Sequence, residues 1–202
     1  MQADFNIELG PDEYCLEIPW ASEDGKLRYF NLKLQPELLL EVVETHDNRE
    51  LAEFLAAINQ PNSDVETAKC DTWLTDELDA GDDIFGATWK FGAYVDLLLS
   101  DAAQQVSFEK HEDLARSLSK LLSKVPDFAA ATEFVIRRCY YHRTENLDEE
   151  SEKGYYLTLY IYGYGDDEAG AKKSWVIALK LVQNALLQVT AQARRQGSSE
   201  LL

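Results

Sequence analysis

Residues 155–164 read Tyr155-Tyr156-Leu157-Thr158-Leu159-Tyr160-Ile161-Tyr162-Gly163-Tyr164. Leu157, Leu159 and Ile161 fall on one side, and Tyr156, Thr158, Tyr160, Tyr162 and Tyr164 on the other. Alternation of this length has the two-residue period of a β-strand and not the 3.6-residue period of a helix. An aliphatic side backed by a tyrosine side describes a strand with one face on a core and one face in wetter surroundings. The period then changes. From 169 to 193, Trp175, Leu179, Val182, Leu186 and Val189 recur at spacings of 4, 3, 4 and 3, the stripe of an amphipathic helix. Upstream, residues 133–142 form a second strand-like run, joined through the polar loop 143–154.

Two further stretches repeat this strand–strand–helix order. Residues 69–74 and 88–99 read as strands around an acidic loop with Gly81 and Gly86. A helix follows, with Ser107 placed to cap it, Phe108, His111, Leu114, Ala115, Leu118, Leu121 and Leu122 on its apolar face, and Pro126 beyond its end. Residues 14–19 and 27–34 read as a hairpin around Ser22-Glu23-Asp24-Gly25. Pro36 then opens a helical stretch with Leu38, Leu39, Val42, Leu51, Phe54 and Ile58, broken near His46-Asp47-Asn48. Residues 4–9 offer an extra strand. The expected fold is α+β: three ββα units forming one mixed, largely antiparallel sheet of six or seven strands, with the helices on one face. Nothing in the composition divides the 202 residues, so a single domain over 1–202 is expected, with 194–202 as a frayed tail.

Alternation extends the tyrosine face. Trp89, Phe91, Val95, Leu97 and Leu99 share one side of their strand, against Lys90, Tyr94, Asp96 and Leu98. In the strand at 133–142 both parities carry apolar residues. Either Arg138 and His142, or Arg137 and Arg143, therefore join the face. The candidate binding residues are Tyr94, Arg138, His142, Tyr156, Tyr160, Tyr162 and Tyr164. Tyrosine joins broad apolar contact to a polar tip, which suits a face that meets a partner.

Charge narrows the partner. Nineteen Lys and Arg stand against 37 Asp and Glu, a net charge of −18. Residues 1–101 hold 23 acids and 6 bases, whereas residues 102–202 hold 14 and 13. Such a field repels phosphate backbones and anionic lipid and steers a basic protein toward the first half. Nucleic acid and membranes are disfavoured as partners; a basic protein or a second copy of the chain is expected. No apolar run approaches a membrane span, and the N-terminus lacks a signal-peptide pattern. The three cysteines, Cys15, Cys70 and Cys139, are odd in number with no CxxC spacing. A cytoplasmic location is the expectation.

Tyr164-Gly165-Asp166-Asp167 resembles the YGDD signature of viral RNA-dependent RNA polymerases, whose paired aspartates hold two catalytic metals. The resemblance covers four residues. In those polymerases the motif sits inside a hairpin of a much longer chain; here it falls between a strand and a helix. Asp166 and Asp167 also suit a loop and a helix N-cap, with Glu168 at the positive helix end. The acidic loop 76–83 misses the EF-hand register, because Leu78 stands at the second ligand position. His46, His111 and His142 are scattered, and no HExxH, GxSxG or phosphate-binding glycine loop occurs. No cofactor is expected. The reading favoured is a non-catalytic interaction or self-associating module, using the tyrosine face or the acidic first half. One alternative is a small-molecule binder or enzyme with a pocket over the open sheet, lined by Tyr160, Tyr162, Arg138 and His142. Another is a metal-dependent enzyme using Asp166 and Asp167.

Overall fold

The computed structural model describes residues 1–11, 15–78, 81–142 and 151–199; residues 83, 84 and 193–199 are described by their backbone alone. The chain is α+β, with one mixed six-stranded sheet and helices on one face. The strands are β1 (Gln2–Glu8), β2 (Leu16–Ile18), β3 (Val65–Thr75), β4 (Trp89–Leu99), β5 (Ala130–Tyr141) and β6 (Glu152–Gly165). The helices are α1 (Arg49–Ile58), α2 (Ala102–Gln105), α3 (Phe108–Leu122) and α4 (Glu168–Ser199). The sheet order is β1-β5-β6-β4-β3, and β2 also pairs with β5. β3–β4, β4–β6 and β5–β6 are antiparallel, whereas β1 and β2 run parallel to β5. β1 pairs with 131–137 and β2 with 139–141, so the two lie end to end along one edge.

The strand–strand–helix order recurs three times, but its first instance is not a hairpin. Residues 27–34, expected as a strand, make only the isolated Ala21–Arg28 bridge among the described residues. Local bonds take their place. The Asn31 carbonyl accepts from the Gln35 amide at 2.9 Å, and the Asn31 side chain accepts from the Leu34 amide at 3.0 Å. A side chain that bonds to nearby backbone in this way competes with a ladder. The neighbouring edge strand is also taken up by side chains. On β3, Asn59 accepts from the Thr67 amide, Trp20 donates to the Ala68 carbonyl, and Asp71 accepts from the Thr72 amide. β1 has the same device: Asp4 and Asn6 accept from the amides of Phe5 and Ile7. Side-chain caps of this kind close an edge to further pairing. The stretch opening at Pro36 forms 3-10 turns at Pro36–Glu41 and Val43–Thr45, and the α-helix begins only at Arg49.

The main core lies between the sheet and α1, α3 and α4. Phe91, Val95, Leu97, Phe134, Ile136, Leu157, Leu159 and Ile161 face it from the strands. Leu51, Phe54 and Ile58 of α1, Leu114 and Leu118 of α3, and Trp175, Leu179, Val182 and Leu186 of α4 close it. α4 packs directly on β6 because Gly163 has no side chain: a Cβ there would lie 2.1 Å from the Trp175 amide nitrogen. α4 continues to Ser199, past the expected end at 193; residues 200–202 lie outside the described residues.

Candidate functional site

Among the described residues, the opposite face of the sheet is covered at both ends and left partly open in the middle. At one end the chain after β2 folds across it. Ile18, Ala68, Leu98, Cys139, Tyr141 and Tyr156 form a second apolar cluster there, with Trp20 and Tyr29 packed against it. Tyr156 is therefore only 9% exposed. At the other end Phe85 stacks on Tyr164 at 4.7 Å, and the Tyr164 hydroxyl donates to Asp82 at 2.7 Å. Tyr164 is 4% exposed. Tyr156 and Tyr164 thus lie on the predicted face but within the protein's own packing.

The open centre is set by strand register. Asp71 of β3 lies opposite Tyr94 of β4, Tyr94 opposite Tyr160 of β6, Tyr160 opposite Glu133 of β5, and Glu133 opposite Asp4 of β1. One row across five strands thus reads Asp71–Tyr94–Tyr160–Glu133–Asp4. Beside it, Tyr162 stacks parallel to Tyr160 at 6.1 Å, and Tyr94 tilts against Tyr160 at 6.2 Å. Trp73 meets Tyr162 edge-on at 6.1 Å by lying over Gly92, where a Cβ would come within 2.4 Å of the indole. Tyr94, Tyr160, Tyr162 and Trp73 are all half-buried, leaving an aromatic ridge in contact with solvent. Burial pushes the Tyr94 and Tyr162 hydroxyls upward, with further push from neighbouring acids, so both are neutral near pH 7.

Arg137, and not Arg138, belongs to this face. Arg138 lies opposite Tyr155, on the helix-bearing side. His142 follows β5, where its ring contacts Glu17 of β2, away from the ridge. Arg143 lies outside the described residues. Arg137 donates to Glu8 at 2.7 Å, Thr158 at 2.9 Å and Tyr160 at 3.2 Å. Burial works against its charge, but Glu8 and Tyr160 outweigh that and raise its pKa. Thr158 in turn donates to Asp96 at 2.6 Å. Asp96 is 5% exposed, and burial raises its carboxyl to about 6, against the Thr158 bond and the charges of Arg137 and Lys69.

The remaining cations of the face are also engaged. Lys90 pairs with Asp82, and Lys69 sits over the Trp20 ring at 5.2 Å. In contrast, Asp71, Glu133 and Asp4 have no cation within salt-bridge distance among the described residues. The ridge is thus aromatic, with unneutralised carboxylates at both ends of its central row. Sequence alternation found Tyr94, Tyr160 and Tyr162, left Arg137 open as an alternative to Arg138, and missed Trp73, Asp71 and Glu133. Extending the alternation to 69–74 would have found the first two.

Asp167 has a structural task, since its side chain accepts from the Gly170 amide at 2.7 Å and caps α4. The Asp166 carbonyl accepts from Thr88 at 2.9 Å. Among the described residues, no three His, Cys, Asp or Glu side chains cluster as a metal site. Part of the acidic loop 76–83, residues 79 and 80, lies outside them. Among the described residues, Cys15, Cys70 and Cys139 form no disulfide. Among the described residues no helix is long and apolar enough to cross a membrane.

Fold and site together define a class: an α+β protein with helices on one side of a mixed sheet and a framed aromatic ridge on the other. Compared with protein-family models, curated proteins and solved structures, the chain finds no match.

Proposed function

We propose that the chain is a protein-interaction module whose aromatic ridge binds a basic partner. The observation that carries this reading is the row Asp71–Tyr94–Tyr160–Glu133–Asp4. Half-buried tyrosines supply contact area at small entropic cost, and binding hot spots are rich in Tyr and Trp. Carboxylates at both ends of the row favour a partner that brings Arg or Lys to the rim, and the acidic field of residues 1–101 steers that partner in. A second copy of the chain fits less well. Pairing this ridge on itself about a two-fold axis sets one acidic field against another.

The test is a selection of random displayed peptides on the wild-type protein and on a Tyr94→Ala/Tyr160→Ala variant. The wild type should converge on sequences in which Arg or Lys flanks an apolar residue, and the variant should not retain them. Convergence on acidic or uniformly apolar sequences, or recovery of the same peptides on the variant, would overturn the reading.

A further inference from the structure

A cavity of about 480 Å³ lies beside the ridge, where residues 26–32 and 41–44 pass over the outer edge of β3. It exists because residues 27–34 cross that edge without pairing to it, so a gap remains where a ladder would have closed the space. Its size falls within the range of small-molecule pockets, about 300–1,000 Å³. Trp20, Phe30, Leu32, Leu55, Ala68 and Cys70 supply apolar and aromatic wall. Tyr94, Glu44 and Asp71 line it as well.

Three cations and three acids line this cavity, Lys26, Arg28 and Lys69 against Glu41, Glu44 and Asp71, and they are held differently. Lys26 pairs with Asp24 at 3.0 Å, Arg28 lies over the Phe30 ring at 5.7 Å, and Lys69 lies over Trp20. Glu41, Glu44 and Asp71 have no cation within salt-bridge distance among the described residues. Burial pushes the Cys70 thiol up, and Glu44, Asp71 and Asp96 push it further. Two aromatic walls already hold cations of the chain itself against their faces, the favourable geometry for a ring quadrupole.

We propose that this cavity is a binding site for a small organic cation: a primary amine on an apolar, aromatic or branched body. The body fills the space between Trp20, Phe30 and Leu55. The ammonium lies at Tyr94 between the carboxylates of Glu44 and Asp71. The site shares Tyr94 and Asp71 with the aromatic ridge, so a ridge partner and an amine would compete there, but recognition of the amine does not rest on what that partner is.

The test is an amide and indole NMR titration of the full chain with 2-phenylethylamine and with 3-phenylpropanoate, the same body carrying an anion. A fragment this small, at modest efficiency per atom, is expected to bind with a Kd on the order of millimolar. The amine should give saturable shifts at the Trp20 indole and at amides 67–71. The anion should bind at least tenfold more weakly. A Glu44→Gln/Asp71→Asn variant should lose at least tenfold in amine affinity with its spectrum otherwise intact. A Tyr162→Ala variant, which damages only the ridge, should bind the amine unchanged. Equal binding of the anion, absence of saturation, retained affinity in the double carboxamide variant, or loss of binding in Tyr162→Ala would each overturn the proposal.

Discussion

Replacing Asp96 by Asn should stabilise the protein at pH 8 far more than at pH 4. The side chain is buried at the centre of the sheet, and burial raises its carboxyl from the ordinary 3.8 to about 6. Its stabilising contribution is fully present below pH 3.8, where it is protonated folded and unfolded. That contribution is lost as pH rises through 6, because folding then holds an ionised carboxylate out of water. A shift of about two units at about 1.4 kcal/mol each gives a total of roughly 3 kcal/mol, of which about 2–3 kcal/mol falls between pH 4 and pH 8. Asparagine is nearly isosteric, cannot ionise, and keeps an acceptor for the Thr158 hydroxyl. Urea unfolding of both proteins across this pH range gives the difference directly, since other titrating groups cancel to first order. The variant should gain on the wild type by about 2–3 kcal/mol as pH rises. A difference that stays flat, or that moves toward the wild type, would refute the reasoning. It would mean that Arg137 and Lys69 compensate the buried carboxylate fully.

Other outcomes follow from the same geometry. Gly163→Ala sets a Cβ against the backbone of α4 and should destabilise the fold by about 1–3 kcal/mol in chemical denaturation. Asp167→Ala removes the α4 cap and should cost about 1 kcal/mol by the same measurement. Gly92→Ala pushes on the Trp73 side chain and should change tryptophan fluorescence and weaken ridge binding while the helix content by circular dichroism stays constant. His111 is buried and its imidazole is held below the ordinary range, chiefly by burial. Its contribution is therefore present above about pH 6.5 and lost as pH falls, so His111→Gln should flatten the acid side of the stability profile.

How far the fold was legible depended on whether neighbours agreed with the local pattern. β4 and β6 alternate cleanly because each has one aliphatic side, and the spacing of Trp175, Leu179, Val182 and Leu186 identified α4. Residues 27–34 also alternate, but a strand needs an unpaired neighbour. Asn31 bonds its own chain, and the edge of β3 is taken by Asn59, Trp20 and Asp71. β5 hid its orientation because Val135 and Ile136 are both buried, on opposite faces. Val135 lies opposite Thr158, on the ridge side. Alternation alone therefore could not separate Arg137 from Arg138.

The site was legible as a face and not as a surface. Tyr94, Tyr156, Tyr160, Tyr162 and Tyr164 do share one side of the sheet. Which of them meet solvent was decided by Phe85 and by the chain after β2, neither of which a strand period reports. The carboxylates that end the central row come from β3, β5 and β1, and their alignment with Tyr94 and Tyr160 is a matter of register between distant strands.

The central claim is that this row meets a basic partner. It is tested most directly by amide shift mapping of the isotope-labelled chain with a selected Arg- or Lys-containing peptide, on wild type and Tyr160→Ala. The account predicts the largest shifts at Asp71, Tyr94, Glu133, Tyr160 and Tyr162, binding that weakens as salt rises, and loss of that footprint in the variant. A footprint on the helix-bearing side, or one that Tyr160→Ala leaves intact, would contradict it.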